Sequence, residues 1–231
     1  MRSSSNRIEA GLHLGAAGYL RRVRTSGLLP LCVITAAVAG CTRFVGGAAL
    51  GPVLPPESDG AVHVGTILLD TGRMRGITGT DEDLTIIPTM DSTAPVDIDE
   101  LAATVSPPCR FVFDETAVFG SAFTQFRKTT YQYPPKGALI SEAAAAYPDP
   151  ASARQAFDAL VETVAGCADS PAGPHLVGNQ SVDEWSLRTG AGTCGRTYLL
   201  KSTVLLEVTH CGFSESVAEL VVTNMAAGVP G

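Results

Sequence analysis

Cysteine is the residue with the most chemistry to offer in this chain, and its six copies divide by position. Cys32 lies inside an apolar run, residues 28–39; Cys41 directly follows Val38-Ala39-Gly40; Cys109, Cys167, Cys194 and Cys211 are spread over the remainder. Small residues that close an apolar segment and lead straight into a cysteine have the pattern of a lipobox, in which cleavage exposes a thiol that takes up lipid. Upstream, Arg21, Arg22 and Arg24 supply a basic n-region. The apolar run has about twelve residues, well short of the roughly 20 that a spanning helix needs. Residues 1–40 are therefore expected to be a lipoprotein signal peptide, with Cys41 the lipidation site and the protein exported and held on the outer face of the plasma membrane. Several acyl chains, each buried methylene contributing about 0.8 kcal/mol, would make that anchor stable. Two alternatives stand beside it: ordinary cleavage with Cys41 in a disulfide, and an uncleaved anchor.

Four cysteines in an exported domain point to two disulfides. None belongs to a Cys-x-x-Cys pair and no histidine pair accompanies them, which disfavours zinc and thioredoxin-like redox chemistry. His210 beside Cys211 is the nearest approach to a metal site. Three connectivities are open, and local geometry favours one. Residues 194–211 read as two β-rich runs about a short turn at Ser202-Thr203. A two-residue turn there sets Lys201 opposite Val204 and, counting outward, Cys194 opposite Cys211 in a non-hydrogen-bonded pair, with Cα atoms about 4.5 Å apart and within reach of a disulfide. Ser-Thr is a weak type I′ sequence. Cys109 and Cys167 are left for each other, closing a loop of about 58 residues and adding roughly 4 kcal/mol in the chain-entropy model.

The search for catalysis returns little. No Gly-x-Ser-x-Gly elbow, P-loop, dinucleotide fingerprint or His-Glu-x-x-His is present. His63, His175 and His210 read as surface or loop histidines. Asp97, Asp99 and Glu100 lack calcium-loop spacing and read as solvated surface. Asp183-Glu184 beside Trp185 is the best carboxylate cluster for glycoside hydrolysis, although a charged turn beside a core tryptophan is the plainer reading. No catalytic residue, metal site or cofactor is assigned, and no enzyme activity is expected.

Charge narrows the partners. Removing five arginines and one glutamate with residues 1–40, from 16 basic and 23 acidic side chains, leaves a mature net charge of about −11. Such a surface repels nucleic acid and anionic head groups, so covalent lipid must supply the membrane contact.

Patterning places the elements. Residues 41–62, rich in Gly and Pro, form a flexible tether, and the folded domain occupies 63–231. Residues 66–77 suggest a helix stopped by Gly79, 84–90 a strand, 91–106 an exposed acidic connection, and 114–119 a helical turn ended by Gly120. Strands are expected over 122–133 and 137–146. Asp149 as N-cap and Pro150 at the first position open the clearest helix, with Ala153, Phe157, Leu160 and Val164 on one face. A strand around Trp185 over 182–187, the cysteine hairpin and a last helix with Ser216-x-x-Glu219 as capping box complete the chain. The order implies an α+β fold, an antiparallel sheet with helices packed on one face and two disulfides. In the hairpin, Thr197, Leu199, Val204, Leu206 and Val208 share one face. Arg196, Tyr198 and Glu207 share the other, which either lines a ligand cleft or meets water, the latter favoured.

Several motifs in order carry a resemblance: Leu68-Leu69-Asp70 with Gly79-Thr80, Ser106-Pro107-Pro108-Cys109, Pro148-Asp149-Pro150-Ala151-Ser152 leading to Cys167, and Val217-Ala218 followed by Ala226-Ala227-Gly228-Val229-Pro230. Over about residues 63–231 the chain resembles the PknH-type extracellular sensor domain of mycobacteria. The resemblance implies an α+β domain with both disulfides among Cys109, Cys167, Cys194 and Cys211, found outside receptor kinases and in free lipoproteins, with a cleft for an unidentified ligand. It carries over no ligand residue. The 231 residues hold no kinase domain, so signalling would run through an envelope protein partner. The leading expectation is a non-enzymatic binding or sensor module for a small-molecule, lipid or glycan ligand; a carboxylate-dependent envelope hydrolase and a structural surface lipoprotein are the alternatives.

Overall fold

Local capping decides where the first helix begins. The structure, a computed structural model, describes residues 62–231; the expected signal peptide, Cys41 and all but the last residue of the tether lie outside the described residues. The helix expected over 66–77 starts only at Thr71, because the Asp70 carboxylate accepts the Arg73 amide. A short 3-10 turn, Val64–Thr66, precedes it. Helix α1, Thr71–Thr78, stops at Gly79, whose φ of 64° is the left-handed C-cap that glycine adopts most readily.

Strand β1 is only Thr85–Ile86, since Pro88 cannot continue a ladder and opens a 3-10 turn to Met90. Helix α2, Asp99–Ala102, a 3-10 helix, Pro107–Val112, and α3, Thr116–Phe119, make up the connection before β2, Gln125–Tyr133. The carboxylates there are not merely solvated. Asp97 accepts the amide and hydroxyl of Thr116, and Asp91 takes Arg127 at 2.5 Å and Thr129 at 3.0 Å, so they fasten the connection to its neighbours.

Strand β3, Ala138–Ala146, leads to α4, Pro150–Ala168, whose Asp149 cap accepts the Ser152 amide as expected. The one-turn helix α5, Gly173–Leu176, follows. The strand expected around Trp185 is instead a hairpin of β4, Asn179–Val182, and β5, Ser186–Ala191. The Asp183 carboxylate accepts the amides of Trp185 and Ser186 and the Ser186 hydroxyl, which closes the turn and leaves Trp185 49% exposed under the Arg154 guanidinium rather than in the core.

Strands β6, Cys194–Lys201, and β7, Val204–Cys211, pair in the expected register, Lys201 with Val204 through Cys194 with Cys211. Ser202 takes a φ of 54° to turn the chain. Helix α6, Glu215–Ala227, begins two residues earlier than expected, with Ser214 at the N-cap position, and the Ser216 hydroxyl meets that of Ser214 instead of forming the capping box.

All pairings in the seven-stranded sheet, order β1-β2-β3-β7-β6-β5-β4, are antiparallel, and disulfides join Cys109 to Cys167 and Cys194 to Cys211. The α+β class and both cystines are as expected. Helices cover two faces rather than one. Phe157, Leu160 and Val164 of α4 pack with Phe111, Phe119, Phe126 and Tyr198 on one side; Met74 of α1 and Val221 and Met225 of α6 pack with Ile140, Leu206 and Val208 on the other. The central strands require this. In β3, Ala143 and Ala145 face one core while Ala144 and Ala146 face the other, so neither side of the sheet centre can be left to water.

Candidate functional site

Strand register lines up four residues across the sheet on the α4 side. Lys128 on β2 pairs with Ala143 on β3, Ala143 with Glu207 on β7, and Glu207 with Tyr198 on β6. Alanine at the second place leaves a gap between the longer side chains. In the neighbouring row, Thr209 pairs with Ser141 and Arg196. The segment 89–98 and residues 112–115 close over these rows, and a cavity of about 280 Å³ remains.

Its floor is charged and internally paired. Arg196 reaches Glu207 at 3.4 Å and donates to the Val112 carbonyl at 2.6 Å, its guanidinium 5.9 Å from the Phe111 ring centre. Thr209 donates its hydroxyl to Glu207 at 2.7 Å. Lys128 forms an ion pair with Glu115, whose other carboxylate oxygen accepts the Val96 amide at 2.8 Å. Two cations meet two anions, so the cavity carries no net formal charge. The wall is apolar, built by Met90, Val96, Ile98 and Val112, with Ile98 42% exposed at the surface.

Burial pushes the Glu115 carboxyl above the usual carboxylate range; Lys128 pulls it back and Glu207 adds to the rise. Burial likewise raises the Tyr198 phenol, with Glu207 reinforcing the rise and Arg196 opposing it. Sequestered charges survive in such a place only when paired, because desolvation costs several kcal/mol per ion.

Of the residues named from the sequence, Arg196 and Glu207 line this cavity and Tyr198 lies buried beside Glu207 on the same face. That face is largely covered by protein, with Tyr198 and Glu207 buried and Arg196 partly so, contrary to the favoured reading that it meets water. Lys128 and Glu115 were missed. Period-two counting from Phe126, a core residue, puts Lys128 on the same side and was a usable signal. Glu115 had none, since it belongs to an irregular connection.

Other candidates lie apart. Asp183 is committed to its turn, where the Ser186 hydroxyl and the Trp185 and Ser186 amides lower its pKa, and Glu184 is exposed. His63 and His175 are exposed, whereas His210 is 6% exposed, a buried residue and not the loop or surface histidine expected. Among the described residues, no three His, Cys, Asp or Glu side chains converge as metal ligands, and no helix is long and apolar enough to cross a membrane.

The architecture is that of a disulfide-stapled α+β domain with a covered antiparallel sheet. Residues 60–227 match the family described as the PknH-like extracellular domain, and the chain belongs to that family. The crystal structure of the extracellular domain of PknH from Mycobacterium tuberculosis is similar, with a TM-score of 0.51 at 12% identity over 71% of this chain and 92% of that one. This likeness shows a shared fold. No curated protein matches the chain.

Proposed function

We propose that this protein is a lipid-anchored binding domain of the cell envelope, without catalytic activity, that holds a small amphipathic ligand in the cavity over Lys128, Glu115, Arg196 and Glu207. The observation that carries the reading is the pairing of an apolar wall with a floor of convergent, mutually neutralised charges, the usual composition of a small-ligand site. Membership of an extracellular-domain family supports a sensor role, and the signal would pass to an envelope protein partner. A hydrolytic reading draws on the same two carboxylates, but each already holds a cation.

The test is a thermal-shift screen of the mature chain, with Cys41 replaced by alanine, against envelope lipids, glycans and peptidoglycan fragments. A ligand at a hundred times its dissociation constant adds about 2.7 kcal/mol of stability. Ile98→Asp, at the exposed edge of the apolar wall, should abolish that shift without unfolding the protein. Absence of a shift with every fraction, or a shift that survives Ile98→Asp, overturns the assignment.

The anchor is tested separately. Cys41→Ala should prevent lipid labelling and release the protein from membranes; persistent membrane attachment sinks that part of the proposal.

A further inference from the structure

On the other face of the sheet a row of residues has almost no side chains. Gly190 on β5 pairs with Gly195 on β6, and Gly195 with His210 on β7. A Cβ at Gly195 would come 2.7 Å from His210 Cε1 and 2.9 Å from the Thr189 carbonyl oxygen, so glycine is needed there for the imidazole to lie across the strand. A Cβ at Gly190 would meet nothing within 4 Å. The result is a hollow of about 430 Å³ between the β4–β5 edge and the start of α6, a volume within the range of small-ligand pockets.

We propose that this hollow binds a neutral polyhydroxylated ring, a sugar, as a second site distinct from the charged cavity. Four features of its lining favour that chemistry. Asn179 brings a side-chain amide and Ser181 and Thr193 bring hydroxyls, and none of these three side chains has a hydrogen-bond partner among the described residues. Amides and hydroxyls both donate and accept, which matches a ligand whose every hydroxyl does the same. His210 is 6% exposed and lines the hollow, its Nδ1 buried without a partner; burial lowers its pKa against the opposing charge of Glu215, which favours the neutral ring. Phe213, half-buried at the rim, offers an aromatic surface for the C–H face of a ring.

Charge argues against the competing ligands. Arg188 is held 3.5 Å from Glu219, and the Arg196 guanidinium is turned to Glu207 and Val112 on the opposite face. Glu215 occupies the first turn of α6 and would repel an anion drawn to the amides there. A neutral solute meets no such penalty.

Gly190→Val is the discriminating variant. Gly190 does not use the left-handed region, its missing side chain points into empty space, and a β-branched residue suits a strand, so the hollow fills while the fold stays. Saturation-transfer NMR on the mature chain, with Cys41 replaced by alanine, would use glucose, mannose, galactose, arabinose, N-acetylglucosamine and trehalose at about 10 mM, where even a 1 mM site is roughly nine-tenths full. The same sugars displayed as glycolipid head groups in phosphatidylcholine vesicles separate a free ligand from a membrane glycan. We expect transfer to at least one sugar, weakened at least tenfold by Gly190→Val, with the melting temperature of that variant no lower than wild type and binding kept in Ile98→Asp. No transfer to any sugar in either form, or transfer that survives Gly190→Val, overturns the site. Loss in Ile98→Asp alone would assign the sugar to the charged cavity and overturn this inference while supporting the earlier one. Displacement of the sugar by inorganic phosphate would overturn the neutral-ligand assignment.

Discussion

The two faces of the sheet accommodate buried charge in opposite ways. The α4 face is rich in aromatic residues and is crossed by the Cys109–Cys167 disulfide, which ties the 3-10 helix to the end of α4. It carries two cations and two anions, each matched to a partner. The α1/α6 face is largely aliphatic and holds one carboxyl, Glu142, fully buried on β3 and bonded only to the Leu69 amide. Burial pushes its pKa up to about 8; the Leu69 amide and Arg73 oppose the rise and Asp70 adds to it. Where a partner of opposite sign is within reach, the core keeps charges; where none is, it takes up a proton.

Breaking the covalent link should give the largest effect. Replacing Cys109 and Cys167 together by alanine is expected to lower unfolding free energy by about 4 kcal/mol, against about 3 kcal/mol for Cys194 and Cys211, because the first closes the longer loop. Urea titration of the two double variants without reductant measures both; a larger loss from the hairpin pair would contradict the loop-closure account.

Glu142 sharpens the contrast through pH. Burial holds its folded pKa at about 8, above the ordinary glutamate value of 4.5, so between those values the folded state binds more protons than the unfolded state. Its stabilising contribution is complete below about pH 4.5 and is lost as pH rises to about 8. Stability should therefore fall by on the order of 3 kcal/mol over that window. Glu142→Gln should remove most of that fall, and denaturation curves at pH 5 and pH 8 with unchanged differences would refute it.

Smaller effects belong to the rim of each face. Asp149→Ala should cost about 1 kcal/mol through loss of the α4 cap, read by thermal unfolding. Glu219→Gln breaks a half-exposed pair with Arg188 and should cost less than about 1 kcal/mol, vanishing in high salt. A loss from Glu219→Gln exceeding that from Asp149→Ala would mean that the α6 edge is more tightly held than its exposure implies.

Much of the fold was legible because its signals act at fixed offsets. Asp149 before Pro150, Gly79 after α1 and the alternation in β2 each depend on residues a few places apart. A failure occurred where a side chain overrode a local pattern, as Asp183 did in closing a turn where a strand around Trp185 was expected. At the candidate site, Arg196, Tyr198 and Glu207 could be grouped from the sequence, but their surroundings could not.

Sequence by itself determined the grouping of the last four cysteines, the register that sets Cys194 against Cys211, and the membership of one hairpin face. Turn length and period-two alternation fix these without reference to the rest of the chain. Tertiary structure alone decided that both faces of the sheet would be covered, that Glu115 would come to Lys128, and that Arg196 would find the carbonyl of Val112, 84 residues away. Alternation says which side chains share a side, but not what will pack against them. That is set by how the helices bury the apolar surface that the alanine-rich centre of the sheet leaves on both of its faces.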